Sequence, residues 1–413
     1  MSVAVVGAGV AGTAAAIGLA QLGVPVTVFE TVADPQPIGA GLLLQPTGQQ
    51  VLAHLGLLDG ALAHGARLDR LHGDTASGRT VLHLRYSRFA PEAYGLGLQR
   101  GVLMGLLWQR LRALGVPWHC GATVAGWTDV PEGVRLHNEG GADLGSFEAV
   151  LLADGSFSRL RSQLVAGHGR VRADPFPWGA LWTVLPQPTG FPAIELRQRF
   201  RGARQMLGLM PVGRAWGSDA GSAPGINLFW SLPLAEMPDL DRLDLAAWKR
   251  PLVDLLPWVA PLLDGLTDAR QLRPARYADV RLRPTHRGAV LAIGDAAHGM
   301  SPQLGQGANM ALIDAQVLAQ TRRAHPQAPW PELLARFAQA RRAHLRYYGQ
   351  ASRWLTPMFQ SHQRLLPALR DALMGPVGQL PWFHGQNVAT LSGMKTGWLW
   401  GRLDLSNNPW SPP

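Results

Sequence analysis

Short apolar runs that stop at a glycine or an acid recur along this chain, most of them followed by a helical stretch with a small or amphipathic face. The first, 3–6, reads as a buried strand and runs straight into Gly7-Ala-Gly9-Val-Ala-Gly12. The helix after it is small-sided, with Ala14, Ala15, Ala16 and Gly18, and so can approach a sheet closely. A second strand, PVTVFE, ends at Glu30. Past Gly39 and Gly41, Pro46 precedes a helix predicted over 47–55. Residues 67–94 read as strands with polar interruptions, and an amphipathic helix starts at about Gly101 with Arg100 at its mouth. Three short strands follow. The last of them, 149–153, ends in Asp154-Gly155 and leads to a helix holding Arg159 and Arg161.

From 174 to 274 the pattern changes to apolar alternations such as ALWTVLP, QMLGLMPVG and INLFWSLP between turns, which predicts an antiparallel sheet with one helix over 245–256. A strand at 289–293 then breaks at Gly294-Asp295. Beyond Pro302, Gly305 and Gly307 open a helix carrying Met310, Leu312, Ile313, Val317 and Leu318. After Pro331 the chain reads as helical, including one long basic helix, and the tail from Gly375 is broken by Gly and Pro. Strand–helix units on both sides of a β-rich stretch predict an α/β protein with interleaved domains.

Composition narrows the class. A hydrophobic share of 47% against 16% charged residues belongs to a globular chain, and 413 residues hold about two to three domains. The net charge of +10, carried almost wholly by arginine, suits nucleic acid, anionic lipid or an anionic cofactor. The arginines are spread along the chain and no nucleic-acid motif accompanies them, so nucleic acid is not an expected partner. Cys120 is the only cysteine; it can form no internal disulfide, is expected to serve packing, and fits a reducing cytoplasm. The apolar N-terminus lacks a basic region and contains Gly7, Gly9 and Gly12, which suits a nucleotide-binding turn better than a signal peptide. Gly, Pro and Arg interrupt every candidate membrane span, so a soluble, cytoplasmic protein is expected.

Gly7 suits the tight turn, Gly9 the approach of backbone to a pyrophosphate, and Gly12 close helix–strand contact. Glu30 follows Gly12 by eighteen residues, where an acid bonds the ribose of an adenosine. An acid there repels a 2′-phosphate, so the tightly held dinucleotide is FAD or NAD and not NADP. Asp154 and Asp295 are two further strand-end acids. Each is a hydrogen-bond acceptor for a sugar or polyol, and each is equally an ordinary turn residue. Arg100 is evenly balanced between a phosphate contact and a surface arginine at a helix start.

Together, GAGVAG with Glu30, Arg100 before a helix, ADGSFSRLR and GDAAHGMSPQLGQGANMALIDA resemble the single-component, class A FAD-dependent monooxygenases of the salicylate hydroxylase and ubiquinone-biosynthesis hydroxylase type, over residues 1 to about 355. The resemblance implies a glutathione-reductase-like Rossmann FAD domain interleaved with a β-sheet substrate domain, and a helical C-terminus. The FAD domain is expected over 1–66, 96–172 and 275–330, the substrate domain over 67–95 and 173–274, and the C-terminal helical region over 331–413.

By resemblance Gly7, Gly9 and Gly12, with Val10 and Ala11 between them, hold the FAD pyrophosphate, and Glu30 holds the adenosine ribose. Arg100 matches an arginine near the FAD phosphates, and Val124 a backbone contact to adenine. Asp154, Gly155 and Arg161 match a motif tied to FAD and to transient NADH or NADPH. Asp295 matches the acid that bonds the ribitol. Gly305, Gly307, Ala308 and Asn309 match the loop beside the isoalloxazine, with Pro302 near its reacting edge. Two positions depart from the family: Leu152 stands where glycine usually precedes Ala-Asp-Gly, and Gln303-Leu304 follow Pro302. Gln303 and Leu304 are the expected seat of substrate choice.

The implied reaction consumes NAD(P)H and O2 and hydroxylates or epoxidises an aromatic or polyketide-like small molecule through a flavin C4a-hydroperoxide. Such chemistry needs a dry site, and Trp182, Phe229 and Trp230 are candidates for its lid, or plain core. A base could come from His72, His83, Tyr86 or Tyr94, none of them favoured, while His298 reads as support for its loop. A flavin halogenase or isoprenoid reductase on the same fold is an alternative, although no Gly-Trp-x-Trp-x-Ile-Pro run is present. A non-catalytic binding protein of the GDP-dissociation-inhibitor type is another, opposed by Glu30, Asp154 and Asp295. The partners expected are the aromatic substrate and O2, with a homodimer left open.

Overall fold

The computed structural model describes residues 2–88, 90–191 and 194–409, so residue 1 and the last four residues of the predicted helical region lie outside it. A six-stranded sheet runs in the order His286–Arg287, Val290–Ala292, Ala149–Leu152, Val3–Val6, Val26–Glu30 and Trp118–Cys120. All of its pairings are parallel except that of the short outer strand His286–Arg287. The inner strands Val3–Val6 and Ala149–Leu152 are buried throughout, which is why they read as continuous apolar runs rather than alternations.

The small-sided helix Val10–Gln21 lies over one face of this sheet, beside Gly307–Ala324 and Arg100–Ala113. A Cβ on Gly12 would stand 2.0 Å from the carbonyl oxygen of Gly7, so only hydrogen fits at that crossing. The other face is closed by a three-stranded sheet, which brings Trp127, Leu136 and Phe147 against Ala4, Val6 and Leu152.

The β-rich stretch forms a seven-stranded sheet. Residues Ala278–Arg283, paired with Arg170–Pro175 as a two-stranded ribbon, then lead back from it to the first sheet. Its strand Glu195–Arg201 pairs in parallel with Arg70–Thr75, a strand 125 residues earlier at its start. One face packs under the helices Leu245–Leu255 and Ala260–Leu263 through Leu181, Leu209, Leu228 and Trp230. The other face meets the strand Gly41–Leu44, where the Asn227 amide oxygen accepts from the Gly41 N–H at 2.8 Å.

The C-terminal helices span Trp330–Phe359, Leu365–Gln379 and Pro381–Leu391, so the tail from Gly375 is helical as far as Leu391 and irregular over 392–409. Leu405 then returns to the core of the first sheet. No helix among the described residues is long and apolar enough to cross a membrane.

Two expectations need correcting. Cys120 is exposed rather than packed, because it ends an edge strand paired on one side only. Arg159 precedes its helix, which covers Arg161–Val165.

Candidate functional site

Parallel pairing brings the three motifs to one edge. Val6 is opposite Leu152, and Leu152 is opposite Ala292, so Gly7, Asp154 and Asp295 emerge side by side at the C-terminal ends of adjacent strands. In open α/β sheets ligands bind outside these ends.

At the first end Gly7 has φ +106°, and a Cβ there would stand 2.5 Å from the Ala153 carbonyl oxygen. Gly9 faces open space, and the helix it starts has no side-chain cap. The first N–H groups of Val10–Gln21 are therefore available to an anion. Glu30 ends the neighbouring strand, and its carboxylate accepts from the Ala8 N–H at 2.8 Å and the Val32 N–H at 2.9 Å. It thus fixes the glycine turn that it borders. Trp108, from Arg100–Ala113, donates its indole N–H to the Ala8 carbonyl at 2.9 Å. Val124 is buried beyond Cys120, with no hydrogen bond to its backbone N–H among the described residues. Arg100 is exposed with no acid partner among the described residues, and its stem lies 2.8 Å from where a Cβ on Gly39 would stand.

At the second end Asp154 is mostly buried and its carboxyl is bonded to Ser158, yet its Oδ1 has no hydrogen-bond partner among the described residues. Burial pushes its carboxyl above the usual range. Such an orphan acceptor suits a donor brought by a ligand. Arg161 does not face outward. It donates through Nε to Ser158 O at 3.0 Å, through Nη1 to Ala296 O at 3.2 Å, and through Nη2 to Ser156 O. It ties the Asp154 loop to the Asp295 turn.

At the third end Gly294 has φ 58° and ψ −145°, and a Cβ there would stand 2.6 Å from the Ala11 side chain, so only glycine lets the first helix come this close. Asp295 is exposed, with Ser156 Oγ 3.3 Å away. Gly305 is left-handed, Gly307 faces open space, and Gly307–Ala324 also lacks a side-chain cap. Asn309 is fully buried: its amide oxygen accepts from Gln45 N at 2.9 Å, and its nitrogen donates to Leu43 O at 3.0 Å and Gly305 O at 3.1 Å. Pro302, Gln303 and Ala308 are half-buried. Leu304 instead packs with Met310, Tyr347, Tyr348 and Ala351, so of the pair expected to set substrate choice only Gln303 lies outside a core cluster.

Sequence reasoning missed the polar network behind this loop. Asp314 accepts from Gly294 N at 2.8 Å, His298 Nε2 at 2.7 Å and Arg341 Nε at 2.8 Å. Arg341, fully buried, also donates to His344 Nδ1, and His344 Nε2 donates to Gly393 O at 2.7 Å. Burial pushes the Asp314 carboxyl up, but His298 and Arg341 outweigh it and hold the group well below the usual range. Burial and then the Arg341 charge lower His344 to about 3, so it stays neutral. The available signals were an acid inside an apolar helix and Arg341 with His344 one turn apart.

The seven-stranded sheet resolves the aromatic and base candidates. Phe229 shares the Asn227 face, Trp182 is its register partner, and Gly208 pairs with Phe229 from the other side. Trp182 and Phe229 are half-buried on the face turned toward Gly41–Leu44, whereas Trp230 belongs to the opposite core. His72 and His83 face each other at 3.1 Å, with His72 on Asp74 at 2.8 Å. They lie opposite Leu71, away from the glycine turns. Tyr86 is buried and donates to Gln45 Oε1 at 2.7 Å; burial raises its phenol further, so it is a neutral donor and not a base. Tyr94 has the Arg67 guanidinium over its ring at 4.6 Å.

A Rossmann-type sheet, two uncapped helix starts, an orphan acid and a second exposed acid at adjacent strand ends define a dinucleotide-binding α/β protein, and their spread fits FAD. The FAD binding domain family model matches residues 1–181 and 256–348. The 3-amino-4-hydroxybenzoate 2-monooxygenase of Streptomyces cremeus is 31% identical over 338 residues, 79% of this chain and 80% of that protein. The FAD-dependent urate hydroxylase of Klebsiella pneumoniae is 28% identical over 337 residues, 77% of this chain and 80% of that protein. The crystal structure of Klebsiella pneumoniae HpxO complexed with FAD and uric acid superposes with a TM-score of 0.80 at 22% identity, covering 95% of this chain and 97% of that one. This chain belongs to the class A FAD-dependent monooxygenases, and FAD is its cofactor.

Proposed function

We propose that this enzyme uses NADH or NADPH and O2 to hydroxylate an electron-rich aromatic small molecule. The observation that carries the reading is the Trp182–Phe229 pair, half-buried on the sheet face turned toward the FAD segment, with Gly208 as the register partner of Phe229 on the next strand. Among the described residues the registers put no charged residue on that face except Arg273, the exposed register partner of Trp182 on the edge strand. An apolar aromatic wall excludes water and presents ring faces to a flat substrate.

The chain's residues divide the binding work. Gly7, Gly9, Val10, Ala11 and Gly12 present N–H groups to the FAD pyrophosphate, Glu30 faces the adenosine ribose, and Val124 offers its free N–H to adenine. Arg100 supplies a nearby cation. Asp295 takes the ribitol hydroxyls, and Pro302, Gln303, Gly305, Gly307 and Ala308 border the isoalloxazine. Asp154 and Gly155 shape the middle of the cleft, while Arg161, Asn309 and Leu304 hold these loops in place from behind. When bound, the flavin would supply electron transfer from the nicotinamide to dioxygen, with one oxygen atom entering the ring and the other leaving as water. The protein's part is to position both partners and keep the chamber dry.

The test is NAD(P)H oxidation by the holoenzyme with a panel of phenols, quinolones and indoles, scoring hydroxylated product against peroxide. At least one aromatic is expected to accelerate flavin reduction and to be hydroxylated; acceleration by none removes the aromatic reading. Trp182→Ala is expected to retain flavin but to shift consumed O2 from product to hydrogen peroxide by about tenfold, since one well-placed aromatic contact is worth about 1–1.5 kcal/mol. An unchanged product-to-peroxide ratio would place Trp182 outside the chamber.

A further inference from the structure

Arginines that are dispersed in sequence converge in three dimensions. A groove of about 1670 Å³ opens between the ribbon Arg170–Pro175/Ala278–Arg283, the turn 297–300 and the long helix Trp330–Phe359. Gly7, Glu30, Asp154 and Asp295 do not line it, although it starts only two residues beyond Asp295. Seven arginines line its walls against a single acid, Asp279. Arg281 and Arg353 share Asp279, and Arg172 is paired with Asp174. Arg170, Arg283, Arg342 and Arg346 are exposed and have no carboxylate partner among the described residues.

The four come from three separate elements, with Arg342 and Arg346 one turn apart on the long helix. Burial and the charges of Arg281 and Arg283 depress Arg353 despite Asp279, a sign of unneutralised positive charge. Like charges gathered in a concave site raise the local potential and select an anion. Arginine forks match phosphate oxygens in particular. The volume exceeds the range of about 300–1,000 Å³ usual for compact small molecules, which suits an extended ligand. Met300 and Leu345 add apolar surface to the lining, against which a nucleotide base can pack.

We propose that this groove binds the phosphate-bearing ADP half of the pyridine dinucleotide, gripped by Arg170, Arg283, Arg342 and Arg346. The inference rests on the reading that a reduced pyridine nucleotide feeds the flavin, and it supplies a site for that co-substrate. A further phosphate on the 2′ position adds roughly 1.5–2 negative charges, so the groove favours NADPH over NADH.

The test titrates 2′-phospho-ADP-ribose, ADP-ribose and inorganic pyrophosphate into the FAD-loaded enzyme by calorimetry at low and high salt. The phosphorylated ADP-ribose is expected to bind best and to weaken as salt rises. The double variant Arg342→Glu/Arg346→Glu is expected to lose about a hundredfold in affinity, roughly tenfold per lost charged contact. Arg170→Glu, on a different element, is expected to lose about tenfold, and both variants are expected to keep their flavin and their circular dichroism spectrum. Unchanged affinity in both variants overturns the site, as does pyrophosphate binding as tightly as the nucleotide fragments, or no binding of any of them. If the fragments bind as expected but no nucleotide reduces the flavin with any aromatic, the reaction reading fails and the site stands. If reduction proceeds with an unchanged KM in the variants, the site fails and the reaction stands.

Discussion

Arg341→Met is expected to destabilise the protein by about 3–5 kcal/mol at pH 7, the usual cost of stripping one partner from a buried ion pair. Arg341 is fully buried, and its Nε bonds Asp314 at 2.8 Å. Methionine fills much of the same space but leaves the Asp314 carboxylate with only His298 and the Gly294 N–H. The measurement is chemical denaturation of wild type and variant at several pH values.

The sign of the pH effect follows from the shifts. Asp314 is held below its usual range in the folded protein, so its contribution is present above about pH 4 and is lost as pH falls through the folded value. Without Arg341 that depression shrinks, and protonation relieves the buried charge. The gap between variant and wild type is therefore expected to be largest near neutrality and to narrow toward about pH 4. His344 works in the same direction in wild type. Its folded value, about 3, lies below the 6.5 of an unperturbed histidine, so neutral His344 stabilises the fold above about pH 6.5 and less with each unit below it. A gap that does not change with pH would mean that Arg341 matters through packing alone.

The glycine-and-acid motifs were legible because each is local. A strand, its terminal acid and the helix start lie within about thirty residues, and parallel strand ends must fall on one edge once the sheet forms. That is how Gly7, Glu30, Asp154 and Asp295 could be read as one site from four separate stretches. The network behind it could not be read this way. Asp314 and Arg341 sit on different helices, and nothing in either pattern announces that both are fully buried. The faces of the inserted sheet were equally hidden. Adjacent residues Phe229 and Trp230 point to opposite sides, and only the pairing of Gly225–Pro233 with its neighbours shows which side meets the flavin segment. His72 and His83 were reasonable bases by residue type, but the pairing of Arg70–Thr75 with Glu195–Arg201 turns them away from the chamber. The arginine groove needed three distant segments to fold together.

Asp295→Ala is expected to yield a folded, colourless protein. Asp295 is exposed, makes one 3.3 Å contact with Ser156 and belongs to no core cluster, so its removal costs the apo fold little. Its neighbours are fixed independently: Gly294 by Asp314, and the Ala296 carbonyl by Arg161. On the proposed reading, what disappears is a charged acceptor for the ribitol hydroxyls. At about 1.5–3 kcal/mol per charged hydrogen bond, two such bonds amount to a loss of roughly two to four orders of magnitude in FAD affinity. Asp295→Asn keeps an acceptor oxygen and is expected to fall between, regaining colour when FAD is added in excess. Visible absorbance after gel filtration reads the flavin, and the apo-protein melting temperature reads the fold. Full flavin retention by Asp295→Ala would remove the acid from the site. A collapsed melting temperature would instead assign Asp295 to the fold, alongside Asp314 and Arg341 behind it.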